Sequence, residues 1–169
     1  MTADEFGVPE SLLGPVPEDE YRLVGRIVTV APLVEVTLYD FVTELKQAPQ
    51  NRYAGESAAA LLKQAETALN AGAFRQDYVD LARPVLAKLQ EAFELRNAVV
   101  HGVRPAQPSG PGLAWRPARP KQRSDPSTPI VAVRVTLADL SALVLELVAL
   151  QAQLSDLRVR SYGARLPLP

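Results

Sequence analysis

One histidine occurs in the 169 residues, and it follows an arginine–asparagine pair by a short interval: Arg96, Asn97 and His101. Side chains of these types suit phosphodiester cleavage without a metal. Cutting RNA in that way needs a base for the 2′-hydroxyl, an acid for the leaving 5′-oxygen and a cation for the charge that builds at phosphorus. Histidine titrates near neutral pH and serves as base or acid, arginine holds a phosphate bidentately, and asparagine orients either one. Glu94 is the nearest carboxylate, and it either orients His101 or is an exposed helix charge. The chain has no cysteine, which excludes a disulfide framework, a thiolate zinc site and a cysteine nucleophile. With one histidine, a histidine-rich metal site within one chain is excluded as well, and no cofactor is expected. There is no glycine-rich phosphate loop, and no serine or threonine sits in a nucleophile elbow.

The element that must position these residues is a helix predicted from 77 to 100 or 101, with Pro84 kinking its first half. Its core face reads Tyr78, Ala82, Val85, Leu89, Phe93 and Val100, with Leu81 and Leu86 on the flanks. On a helical wheel with Leu89 at zero, Arg96 lies at about −20°, in the middle of the apolar stripe. Asn97, His101 and Glu94 fall at about 80°, 120° and 140°, beside that stripe. A guanidinium placed there must be paired internally, solvated through a cleft or sited at an interface, because an uncompensated buried charge costs several kcal/mol. Arg96 and His101 differ by about 140° around an ideal helix, too far for close cooperation. Either the helix unwinds before Gly102 or the second partner comes from another copy of the chain. His101 before Gly102 also fits a plain helix C-terminus.

The remaining elements follow from periodicity. Residues 1–17 read as a flexible acidic arm, and Pro17 with Glu18, Asp19 and Glu20 marks a helix start. That helix is predicted to reach about 46, although Pro32 and the β-branched density over 24–37 would also suit strands. A loop over 47–55 precedes an alanine-rich helix over 56–71 with a narrow stripe of Leu61, Leu62, Ala65, Ala68 and Leu69. After the third helix comes an insertion, 103–135, rich in proline and basic residues. Within it 112–115 and 130–136 are the segments suited to pair as a short hairpin. Thr136 and Asp139 resemble a capping box at the start of a last helix whose leucines cover more than one face, as in a bundle centre or a subunit contact. That helix is expected to end near 162, and the tail bearing Arg158, Arg160 and Arg165 is expected to fray.

Net charge −1 gives no global attraction to nucleic acid or membrane. The acidic N-terminus has no signal-peptide pattern. Asp139 and Glu146 interrupt the longest aliphatic stretch, 137–150, so no membrane span is expected and a soluble cytoplasmic protein is. The sum is an all-α bundle of four to five helices occupying 18–162, with the insertion at 103–135 and a tail over 163–169.

The run from Arg96 to His101 resembles the motif of the HEPN superfamily, in which an arginine, usually followed by a polar residue, precedes a histidine with four to six residues between them. The resemblance covers the motif and the coarse helix plan. It implies a HEPN-like helical bundle, with the motif late in a long helix and two motifs facing each other across a homodimer cleft. It also implies metal-independent endoribonuclease activity with Arg96 and His101 catalytic and Asn97 supporting, a toxin or phage-defence role, and an antitoxin or other neutralising protein partner. Chemistry points the same way on the dimer, since one histidine does not easily fill both proton roles in one turnover. Arg104, Arg116, Arg119, Lys121 and Arg123 then follow the RNA backbone, with Trp115 stacking on a base, or else form a solvated loop with Trp115 a packing residue. HEPN toxins neutralised by nucleotidyltransferase antitoxins typically place a tyrosine two residues after the histidine. Here that position is Val103. The alternative is a non-catalytic HEPN-like module that binds nucleotide, RNA or protein, and a third possibility is a helical adaptor with Arg96 paired internally.

Overall fold

The computed structural model describes residues 7–9, 17–103, 113–117 and 133–166. They form four α-helices, α1 (Glu18–Lys46), α2 (Ala58–Asn70), α3 (Gln76–His101) and α4 (Leu137–Ala164). Three short strands lie between the last two helices: β1 (Gly102–Val103), β2 (Leu113–Pro117) and β3 (Val133–Val135). The described part of the chain divides into two compact units, one formed by residues 1–28 and 94–144, the other by 29–93 and 145–169.

The first unit holds the small sheet. Its strand order is β1-β2-β3, antiparallel throughout, with Gly102 opposite Pro117 and Leu113 opposite Val135. The β-branched run ending at Val135 favours a strand, and Val135 is fully buried. Thr136 then opens α4 through a reciprocal cap. Its backbone N–H donates to Asp139 Oδ2 at 2.8 Å, and the Asp139 N–H donates to Thr136 Oγ1 at 3.1 Å. Each satisfies a donor the helix start would otherwise leave orphaned. The bond from the Thr136 N–H first, and then that from the Thr136 hydroxyl, which donates to Asp139 Oδ2 at 2.7 Å, hold the Asp139 carboxyl below its ordinary range. Strand β1 was not foreseen, because two residues carry no periodic signal.

The second unit is helical. Val28 ends the α1 segment assigned to the first unit, and after it Ala31, Val34, Leu38, Phe41, Val42 and Leu45 recur at helical spacing and are buried, so the helix reading of α1 prevails over strands despite Pro32. On α2 the buried residues are Leu61, Leu62, Ala65, Ala68 and Leu69, the whole predicted stripe. Ser57 caps that helix by accepting the Ala60 N–H at 3.3 Å. On α3 the core face holds Tyr78, Ala82, Leu86, Leu89 and Phe93, while Leu81, expected on its flank, is exposed. Tyr78 donates to the Leu157 carbonyl at 3.0 Å, and burial pushes its phenol pKa up.

Two expectations about α4 need correction. The helix runs to Ala164, and the chain from there to Leu166 is tied down: Arg75 N–H donates to the Ala164 carbonyl and Leu166 N–H to the Ala73 carbonyl, both at 2.9 Å. The expected fraying ignored these backbone partners. Secondly, α4 is long and apolar enough by length and composition to cross a membrane, with a window of mean hydropathy 1.5, in spite of Asp139 and Glu146. Within the 18-residue apolar window no more than two residues are charged, and they dilute hydropathy less than the interruption suggested.

Candidate functional site

The predicted stretch occupies the last turns of α3 in the first unit. Arg96 is half-buried, as its place on the apolar stripe requires, while Glu94, Asn97 and His101 are exposed. The structure joins the first pair directly: Arg96 Nη1 donates to Asn97 Oδ1 at 2.9 Å. The amide thus receives one guanidinium N–H and aims the group from its side.

His101 is not joined to them. Among the described residues no hydrogen bond or ion pair links it to Arg96 or Asn97. The reason is the helix itself, which stays α-helical through His101 and passes into β1 at Gly102. Unwinding before Gly102 is therefore not what happens, and the separation of about 140° expected for a continuous helix applies. A single copy offers a half-buried arginine, hydrogen-bonded to an exposed asparagine, and an exposed imidazole about 140° from the arginine around the helix. His101 at the helix C-terminus is also where the dipole favours a cation.

Of the expected RNA-tracking residues, Arg104, Arg119, Lys121 and Arg123 lie outside the described residues. Trp115 and Arg116 fall on β2, where Trp115 is opposite Val133 and Arg116 opposite Val103.

A second polar constellation was missed entirely. In the second unit Arg158 on α4 donates through Nη1 to Asp40 Oδ2 at 3.0 Å and through Nη2 to Glu44 Oε1 at 2.6 Å. The hydrogen bond to Glu44 is the first cause of a raised Arg158 pKa, so that guanidinium is a permanent cation. Arg165 Nη2 donates to the Leu45 carbonyl at 2.7 Å, and the guanidinium carbon sits 4.9 Å from the Phe74 ring centre. With Gln47, Gln50 and Tyr162 these residues line an open cleft of about 500 Å³. A spacing signal existed for half of it, since Asp40 and Glu44 are four apart on one helical face. Their partner is more than a hundred residues away, beyond any local pattern.

Compared with known proteins, the chain matches no family model, no curated protein and no solved structure.

Proposed function

We propose that the end of α3 is an RNA-processing site, acting as a metal-independent endoribonuclease of HEPN type in a cytoplasmic toxin or phage-defence setting. The observation that carries this reading is the Arg96–Asn97 bond at 2.9 Å, with Arg96 half-buried and His101 exposed a few residues on. Arg96 holds the scissile phosphate and stabilises the charge on phosphorus, Asn97 fixes the guanidinium, and His101 takes the 2′-hydroxyl proton as base while solvent water protonates the leaving 5′-oxygen, which leaves a 2′,3′-cyclic phosphate. Because a continuous helix keeps Arg96 and His101 on different flanks, the working site takes Arg96 and Asn97 from one copy and His101 from a second. No metal or cofactor takes part in this scheme.

The continuous helix also favours a second reading, a non-catalytic module that binds RNA, nucleotide or protein through the same residues, because one copy alone does not assemble base, acid and cation. Purified protein incubated with end-labelled RNA in EDTA separates the two. The nuclease reading expects cleavage by the wild type and a loss of about 10²–10⁴-fold in His101→Ala, the usual contribution of a positioned acid or base, with a comparable loss in Arg96→Ala. Cleavage equal in all three proteins, or none in any, refutes it; binding without cleavage, weakened by Arg96→Ala, supports the module.

A further inference from the structure

The cleft at the end of α1 spends most of its donors on its own walls. Arg158 gives Nε and Nη2 to Glu44 Oε1, at 3.2 and 2.6 Å, and Nη1 to Asp40 Oδ2 at 3.0 Å. Arg165 gives Nη2 to the carbonyls of Glu44 and Leu45, at 3.5 and 2.7 Å. The two hydroxyls of the lining donate to backbone as well, Thr43 Oγ1 to the Tyr39 carbonyl at 2.9 Å and Ser161 Oγ to the Arg158 carbonyl at 2.7 Å. A hydroxyl has one hydrogen, so each of these presents only lone pairs to anything else.

Acceptors are left over. A guanidinium ordinarily meets a carboxylate fork to fork, one N–H on each oxygen. Here Arg158 directs two nitrogens at Oε1, and the buried Oε2 of Glu44 has no donor among the described residues. Asp40 takes a single N–H, on Oδ2, and its side chain is 40% exposed. Charge follows the same pattern. Arg158 offsets one of the two carboxylates, and Arg165 lies on carbonyls at the negative end of the α1 dipole, which leaves the cleft with a negative balance. The buried Tyr78 phenol is sensitive to it, its pKa pushed up first by burial and then by the Glu44 charge.

From this surplus of acceptors and negative charge we infer that the cleft binds a linear polyamine, an alkyl chain carrying protonated amines between short runs of methylenes. An ammonium has donors and no acceptor, the complement of this lining. Asp40 takes one ammonium within the field of Glu44, and the amide oxygens of Gln47 and Gln50 take another. Asp40 and Gln47 are roughly 10 Å apart along α1, a distance that calls for a chain and not a single amine. Tyr162, one turn beyond Arg158 on α4 and 76% exposed, covers the methylenes and adds a ring face for the charge between them. The cavity of about 500 Å³ has room for such a chain. The same lining disfavours an anion, because both guanidiniums are engaged and the carboxylates repel it. All of these residues belong to the second unit and Arg96 and His101 to the first, so the inference is independent of whether the α3 site cleaves RNA.

Isothermal titration calorimetry of the full chain with spermidine, at neutral pH and low ionic strength, tests it. Saturable binding of one spermidine per chain is expected for the wild type. Asp40→Asn is expected to weaken it at least about tenfold, the loss of a charge-assisted bond. Tyr162→Leu is expected to weaken it about two- to fivefold, the share of a ring over an exposed cation. Because Tyr162 is exposed, that variant carries the test alone should Asp40→Asn lower the urea midpoint. Nα-acetyl-lysine methylamide, which offers one ammonium as a protein side chain would, is expected to bind at least about tenfold more weakly than spermidine, for want of the second charge-assisted contact. No binding by the wild type, affinity unchanged in a folded Asp40→Asn or in Tyr162→Leu, or equal affinity for the lysine amide overturns the inference, the last by assigning the cleft to a single ammonium.

Discussion

The C-terminal ends of α1 and α3 are finished in different ways. At the end of α1 a Schellman turn closes the backbone, with Ala48 N–H donating to the Thr43 carbonyl at 3.0 Å and Gln47 N–H to the Glu44 carbonyl at 3.2 Å. Arg165 takes a further carbonyl there, and Arg158 holds the carboxylates of Asp40 and Glu44. At the end of α3 the chain passes straight into a two-residue strand, and the last helical side chain, His101, stands exposed. The first arrangement commits its cations to the fold; the second presents a titratable group to solvent. A half-buried cation paired with distant carboxylates belongs to stability, and a group that nothing in the described fold requires is the better candidate for chemistry.

Substitution makes that contrast measurable. Arg158→Ala strips Glu44, whose side chain is only 21% exposed, of a charge-assisted pair, and it is expected to cost about 1.5–3 kcal/mol in urea unfolding. Most of the loss comes from Glu44, because Asp40 still reaches water. His101→Ala, measured in parallel, is expected to stay within about 0.5 kcal/mol of the wild type, as surface changes do. Equal costs for the two would erase the distinction between the helix ends.

A smaller effect sharpens the α1 side. Gln47 has φ 50°, the left-handed region that glycine enters without a Cβ penalty, at the position where helices usually end in glycine. Gln47→Gly is expected to raise the stability by about 0.5–1 kcal/mol, read as a higher urea midpoint at unchanged slope. A lower midpoint would mean that the glutamine side chain contributes more than its backbone costs.

The smallest effect concerns acid. The Asp139 carboxyl is held below its ordinary value by Thr136. A group depressed in the folded state contributes stability above its unfolded pKa, about 3.9 for aspartate, and the contribution disappears as pH falls through the folded value. Asp139→Ala is therefore expected to lose stability relative to wild type at neutral pH and to converge on it in acid. A difference that stays constant across the titration would contradict the assignment.

Much of this was legible in the chain because periodicity is a local property. The stripe from Leu61 to Leu69, the cap at Thr136–Asp139 and the helix carrying Arg96 each lie within a few turns of sequence, where a 3.6-residue repeat determines what is buried. The strand pairing of 113–115 with 133–135 was also approached, through the β-branched run before Thr136. What escaped depends on distant partners. Arg158 looked like part of a fraying tail because Asp40 and Glu44 lie on the first helix, and Arg165 because the carbonyl it caps does as well. The open side of α4 was visible only as leucines on more than one face, until burial separated it from the covered one. At the α3 site sequence correctly named residues that share a helix end, but it left open whether the helix unwinds, and that alone decides whether Arg96 can reach His101 within one copy.

The central claim is a site built from two copies, and mixing inactive variants tests it most directly. Arg96→Ala and His101→Ala are each expected to be inactive alone. After joint unfolding and refolding in equal amounts, half of the dimers carry one of each chain, and each of these has one intact site of two. RNA cleavage of about one quarter of wild type is the result the account predicts for an isologous dimer. A mixture as inactive as its parts, beside an active wild type, would place Arg96 and His101 of the same copy in one site and contradict it.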